Sequence, residues 1–181
     1  MSSERLEIGL THIYTGDGKG KSTAALGQVL RALGYGMRAY IVQFLKSKDR
    51  FSGEIGSLSQ FDNNVELVRY NQVHPMFDPG VDVNQLRASV SEALDEARRA
   101  MLSGDYDIVV LDEINNAVAD GFADVGTIVE FIMSKPKAVE LILTGRSAAQ
   151  EVIDLADYVT DMKCVKHPFQ RGIPARRGIE F

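Results

Sequence analysis

Apolar positions along the chain follow two alternating patterns, short unbroken runs and longer stretches that repeat every 3.6 residues. The runs read as strands buried in a sheet, and the periodic stretches as helices laid against it. Leu10 to Tyr14 reads as a first strand. From Lys21, residues Ala24, Ala25, Leu26, Val29, Leu30 and Leu33 recur at helical spacing until Gly34 stops them. Met37 to Phe44 and Val65 to Tyr70 read as the second and third strands. Ile108 to Leu111 has the continuous apolar character of a central parallel strand covered on both faces, Ala138 to Thr144 is a further buried strand, and Tyr158 to Val165 the last. Among these, Asp82 caps a long helix whose apolar face is Val83, Leu86, Val90, Ala93, Leu94, Ala97 and Met101, ended by Gly104 and Asp105. Val125 to Met133 forms a shorter helix stopped before Pro136, and Ala148 to Ala156 another. The expected fold class is α/β, a mainly parallel sheet with helices on both faces.

Three segments break the pattern. Ser47 to Asn64 is polar and glycine-containing, with Lys48, Asp49, Arg50, Gly53, Glu54 and Gly56, which predicts either a surface loop beside the site or a plain connector. In Asn71 to Gly80 two prolines and a glycine forbid regular structure while placing Met76 and Phe77 in a loop. The stretch from Lys166 to Phe181 is basic and irregular.

At 181 residues the chain suits one well-filled domain, residues 1–181, better than two. A net charge of -5 lacks the broad basic footprint of a nucleic-acid binder and favours a small-molecule partner. The lone Cys164 excludes an internal disulfide and a multi-cysteine metal site. Met1 to Arg5 has no apolar targeting core, and no run approaches membrane-spanning length, so the expectation is a cytoplasmic protein without a membrane partner.

The chemistry gathers where strands end. Thr15-Gly16-Asp17-Gly18-Lys19-Gly20-Lys21-Ser22-Thr23 stands between a strand and a helix, the context of a phosphate-binding loop. Its glycines let backbone N–H groups turn inward, and the helix N-terminus adds partial positive charge at the same point. Lys21 then pairs with phosphate oxygens, and the Ser22 hydroxyl reaches a magnesium ion bridging them. Thr15 stands where the usual pattern has glycine. The competing reading is a glycine-rich turn carrying two surface lysines. Asp112 and Glu113 follow the central strand at the edge where open α/β sheets bind ligands, beside the glycine loop if the two strands are neighbours. A magnesium role and a solvated acidic turn are the alternatives there. Thr144-Gly145-Arg146 ends another strand at the same edge, with Arg146 either neutralising phosphate or held in a structural salt bridge. Gln43 and Lys46 close the second strand. These features together describe a magnesium-dependent nucleotide-binding domain.

The phosphate loop, Val42-Gln43-Phe44-Leu45-Lys46, Leu111-Asp112-Glu113, Leu143-Thr144-Gly145-Arg146 and Lys166-His167-Pro168-Phe169 together resemble the P-loop ATP:corrinoid adenosyltransferases, in the same order from about Ile13 to the last residue. The resemblance also covers Thr15 and the closing Ala-Arg-Arg-Gly-Ile-Glu pattern. It implies a P-loop NTPase, RecA-like fold, and transfer of the 5′-deoxyadenosyl group of ATP to Co(I) of a corrinoid (cob(I)alamin or cob(I)yrinic acid a,c-diamide) with release of triphosphate. ATP and the corrinoid are then substrates and magnesium or manganese the metal. Thr15 to Thr23 become nucleotide-binding residues, Gly16 to Ser22 forming the triphosphate cradle, with Lys21 and Glu113 catalytic. Ser22 and Glu113, with Asp112, are the metal candidates, and Lys19, Lys46 and Arg146 are further phosphate contacts. The resemblance also implies an unusual direction of ATP along the loop, a corrinoid held without its lower axial ligand, a homodimer and a flavoprotein electron donor.

Many relatives carry a Gly-Phe-Thr-Trp-like segment after the third strand, whereas this chain has no tryptophan and holds His74 to Gly80 there. Met76 and Phe77 serve either as the apolar wall beneath the corrinoid or as anchors of the loop on the core. His74 either approaches cobalt or is a hydrogen-bonding surface residue. Two other functions use the same loop: an ATPase or small-molecule kinase with Glu113 or Asp112 preparing a nucleophile, and a nucleotide- or corrinoid-binding module without turnover.

Overall fold

The structure is a computed structural model and describes residues 6–47, 52–61 and 63–180. Among these, six parallel strands form one sheet: β1 (Thr11–Thr15), β2 (Ala39–Gln43), β3 (Val65–Arg69), β4 (Ile108–Asp112), β5 (Glu140–Thr144) and β6 (Tyr158–Asp161), in the order β3-β2-β4-β5-β1-β6. This is a P-loop NTPase-like α/β arrangement. β4 is buried at every position, as its unbroken apolar run requires. Because successive strand residues face opposite sides, Val109 and Leu111 join the core beneath α3 (Val83–Ser103), whereas Ile108 and Val110 join the one beneath α1 (Lys21–Leu33). Helices therefore cover both faces.

Asp82 caps α3 by accepting the N–H of Asn84 at 2.8 Å, and Gly104 ends it in the left-handed conformation at φ +79°. The expected apolar face is buried from Leu86 to Met101, but Val83 in the first turn remains 37% exposed. Gly34 closes α1 with right-handed geometry, its N–H reaching back to Leu30 O. α5 (Val125–Met133) lies where the periodicity places it.

Several expectations are corrected. The supposed loop from Ser47 to Asn64 contains α2 (Gly53–Leu58) and a 3-10 turn (Ser59–Phe61), because Leu58 buries itself against the α1 core; Lys48, Asp49 and Arg50 lie outside the described residues. A short helix, α4 (Ile114–Ala119), follows Glu113 directly and buries Ile114 and Ala117. The helix expected from Ala148 to Ala156 is only α6 (Gln150–Ile153), flanked by an extended Ala149 and a turn. β6 stops at Asp161: the Met162 N–H still donates to Thr15 O at 2.9 Å, but its carbonyl turns to the phosphate loop, and Val165 is 86% exposed. The condition attached to Asp112 and Glu113, that their strand adjoin β1, is not met, because β5 runs between β4 and β1; Glu113 nonetheless lines the same cleft as the loop.

Candidate active site

The turn from β1 to α1 is built for close approach of backbone. Gly16 at φ +92° and Gly20 at φ +120° occupy the region that favours glycine. A Cβ on Gly16 would lie 2.2 Å from Asp161 Oδ1, and one on Gly18 would lie 2.6 Å from Met162 O. Gly18 N–H donates to that same carbonyl at 2.6 Å, so the segment after β6 buttresses the loop. Thr15 needs no left-handed backbone, and its Oγ1 accepts the Ala148 N–H at 3.2 Å. A threonine therefore fits where the usual pattern places glycine.

Lys21 opens α1 nearly buried, with Nζ donating to Gly16 O at 2.6 Å and Gly18 O at 2.8 Å. Burial pushes its pKa down; Glu113 opposes the shift and Arg146 adds to it. Lys19 instead points to the C-terminal segment and donates to Ile179 O at 3.2 Å. Asp17, Ser22 and Thr23 line the cleft that opens beyond the loop.

Asp112 and Glu113 are adjacent in sequence but occupy different environments. Asp112 is 1% exposed and stands behind the cleft. Its Oδ1 accepts from Thr144 Oγ1 at 2.7 Å, and its Oδ2 accepts from Lys46 Nζ at 2.7 Å and Gln43 Nε2 at 2.9 Å. Burial alone would raise its pKa, but the Lys46 charge and hydrogen bonds from Lys46, Ser22 and Thr144 hold it below the usual range. Glu113 lines the cleft, at φ +68°. Burial raises its pKa, the Asp112 charge adds to this, and Lys46, Lys21 and Arg146 oppose it.

The polar cluster extends away from the phosphate loop. Arg69 is buried, with Nε donating to Gln43 Oε1 at 2.5 Å and NH2 to Ser52 Oγ at 2.6 Å. Arg69 is a site residue that the sequence reading does not single out, and Thr144 one that it places at the ligand edge without a role for its side chain. Their signal in the sequence is a polar side chain at the C-terminal end of a strand, the edge that already carries Gln43, Asp112 and Thr15.

After β5, Gly145 at φ +131° passes so close to α4 that a Cβ would lie 2.7 Å from Asn116 Oδ1. The same oxygen accepts Arg146 N–H at 2.5 Å and fixes the turn. Among the described residues Arg146 makes no ion pair, and it lines the cleft beside Lys21 and Glu113. The structural salt bridge is therefore not realised among the described residues.

The opposite wall comes from the loop after β3. Met76 and Phe77 are 78% and 74% exposed and line the same cleft, so neither anchors the loop on the core. His74 is engaged at both ring nitrogens: Nδ1 accepts the Met76 N–H at 3.0 Å and Nε2 meets Asp120 Oδ2 at 3.1 Å. It holds the loop to α4's end and is not presented as a free ligand. The cleft measures about 860 Å³, at the upper end of small-molecule sites. No helix among the described residues is long and apolar enough to cross a membrane.

Among the described residues no group of three or more His, Cys, Asp or Glu forms a metal cage. Magnesium does not require one, because it keeps several waters and takes one or two protein donors together with phosphate oxygens. Ser22 and Glu113 at the mouth of the loop fit that donor set. A family model described as ATP:corrinoid adenosyltransferase BtuR/CobO/CobP matches residues 7–181. The chain belongs to this family. Among adenosyltransferase relatives, a corrinoid adenosyltransferase of Pseudomonas aeruginosa is 35% identical, aligned over 100% of this chain and 88% of its own length. One from a Sinorhizobium species is also 35% identical over 100% of this chain and 84% of its own. The corrinoid adenosyltransferase of Escherichia coli is 30% identical over 97% and 87%. The resemblance read from the phosphate loop, the Leu111-Asp112-Glu113 run and the Thr144-Gly145-Arg146 turn thus extends over nearly the whole chain.

Proposed function

We propose that this chain carries out its family's reaction, with Co(I) of a corrinoid attacking C5′ of ATP. A cobalt–carbon bond forms, the bond from C5′ to the triphosphate oxygen breaks, and the leaving triphosphate takes the electron pair. Co(I) is itself a strong nucleophile, so the protein needs no base for this step. Its tasks are to align the two substrates, exclude water and stabilise charge on the leaving group.

The observation that carries this reading is that the phosphate loop and exposed Met76 and Phe77 share one large cleft. Backbone N–H groups between Gly16 and Ser22, apart from that of Gly18, which braces the loop on Met162 O, bind the triphosphate together with the Lys21 ammonium and Arg146. Lys46 is committed to Asp112 and supports the phosphates through the net field; Lys19 reaches them by leaving the Ile179 carbonyl. Ser22 and Glu113 hold the magnesium, with Asp112 orienting Ser22 from behind. The ion supplies Lewis-acid stabilisation of the leaving phosphates. Met76 and Phe77 form an apolar wall against the corrinoid, denying water and the lower ligand a place. The full reading includes a flavoprotein as the source of reducing electrons, a cytoplasmic setting and two copies per assembly.

Anaerobic incubation with ATP, magnesium and chemically reduced corrinoid tests the proposal. It should yield inorganic triphosphate and a light-sensitive alkyl-cobalt product, both only when the corrinoid is reduced. ADP and phosphate formed without corrinoid would instead identify an ATPase. Binding of both substrates with neither product would identify a module without turnover.

A further inference from the structure

We infer that Thr144 is a positioning residue for adenosyl transfer, its single hydroxyl setting the orientation of Asp112 and the backbone of Glu113 together. The inference rests on the reading above, and it assigns a role to a side chain outside the cleft lining.

β5 separates the phosphate-loop strand β1 from the acidic strand β4, and Thr144 is its last residue, paired with Tyr14 of β1. The side chain is 0% exposed. Its Oγ1 donates to Asp112 Oδ1 at 2.7 Å and accepts the Glu113 N–H at 2.9 Å. One hydroxyl proton and one lone pair thus serve both groups, which an aliphatic side chain of the same shape cannot do. The Asp112 bond closes a set in which Lys46 and Gln43 hold the other oxygen, leaving the carboxylate one orientation toward Ser22. The Glu113 bond fixes an unusual backbone. At φ +68° a glutamate is held in a sparsely populated conformation that persists only when its surroundings over-determine it. That conformation turns the chain from β4 into α4 and leaves Glu113 on the cleft.

A valine at position 144 keeps the shape and deletes the hydroxyl, whereas a serine keeps the hydroxyl. Thr144→Val should lower kcat by about 10- to 100-fold, as loss of a group behind metal donors does, and raise the magnesium concentration needed for tight nucleotide binding. The KM for corrinoid should stay unchanged. Thr144→Ser should remain near the parent in both measurements. Binding of a fluorescent ATP analogue, titrated with magnesium, reads the effect without turnover. Thr144→Ala, checked by circular dichroism, serves if the valine variant does not fold. The inference is overturned if a folded hydroxyl-free variant retains the parent's kcat and magnesium dependence, or if Thr144→Ser is as impaired as that variant. A parent that forms no alkyl-cobalt product would refute the proposed reaction instead, and the magnesium-dependent binding series would still decide the role of Thr144.

Discussion

Arg69 and Gln43 lock together inside the protein, Nε to Oε1 at 2.5 Å, and Gln43 in turn donates to Asp112. The guanidinium also reaches Ser52 and, at 3.4 Å, Glu54, so a buried cation ties α2's start to the centre of the sheet. Removing one member of such a network leaves the others desolvated and unsatisfied. Arg69→Met is expected to lower stability by about 2 to 4 kcal/mol, read from the denaturant midpoint. Arg69→Lys should recover only part of this, because an ammonium cannot fork between Gln43 and Ser52. A parent-like midpoint for the methionine variant would contradict the account.

Lys21 carries charge to a place otherwise lined with backbone. Lys21→Ala should reduce kcat/KM for ATP by about a hundred- to a thousandfold, the usual consequence of losing one preorganised donor to a developing anion. Corrinoid binding, measured by its visible spectrum, should be retained. Undiminished adenosylation would remove the loop from the mechanism.

Met76 and Phe77 make the opposite case. Both are exposed, so Phe77→Ala should shift stability by no more than about 0.5 kcal/mol in a thermal melt. The same variant should fail to convert bound Co(II) corrinoid to the form without its lower ligand, which the cobalt spectrum reports. ATP affinity should be close to the parent's. Spectra identical to the parent's would show that the wall lies elsewhere.

Glu140 provides a handle on acid stability away from the cleft. Burial would raise its pKa, but hydrogen bonds with His12, at 2.5 Å, and from the Leu10 N–H, at 2.7 Å, outweigh that and hold it below the usual glutamate range. The folded-state value is thus depressed relative to the unfolded chain. Its stabilising contribution is fully present above the unfolded value of about 4.3 and disappears as pH falls through the folded one. Glu140→Gln should destabilise the protein at neutral pH and flatten the acid limb of its stability curve, measured by denaturant titration at several pH values. An acid limb as steep as the parent's would refute the assignment.

The phosphate loop was legible because its requirements are local: glycine conformations, a lysine and a hydroxyl within a few residues of a helix start. α3 was legible for a similar reason, a long apolar period between Asp82 and Gly104. Strand order is a different kind of information. Nothing near Asp112 or Tyr14 indicates that β5 runs between their strands, and without that order the hydroxyl of Thr144 has no visible partner. The buried tie from Arg69 to Gln43 was hidden likewise, since it joins side chains from separate strands. Helices α2 and α4 escaped notice because each is only six residues long, too short for a period to repeat. The exposure of Met76 and Phe77 was the reverse situation: the sequence left wall and anchor both open, and packing excluded the anchor.

β1 is the first of the described strands to be made and among the last of them to find its partners. Its neighbours β5 and β6 come from the far end of the chain, and the carbonyl of Met162 that braces Gly18 comes later still. During synthesis the glycine loop therefore leaves the ribosome long before anything can hold its shape, and non-local closure of this kind slows folding. Nucleotide in the cell cannot assist the growing polypeptide; it can reward only a nearly finished one.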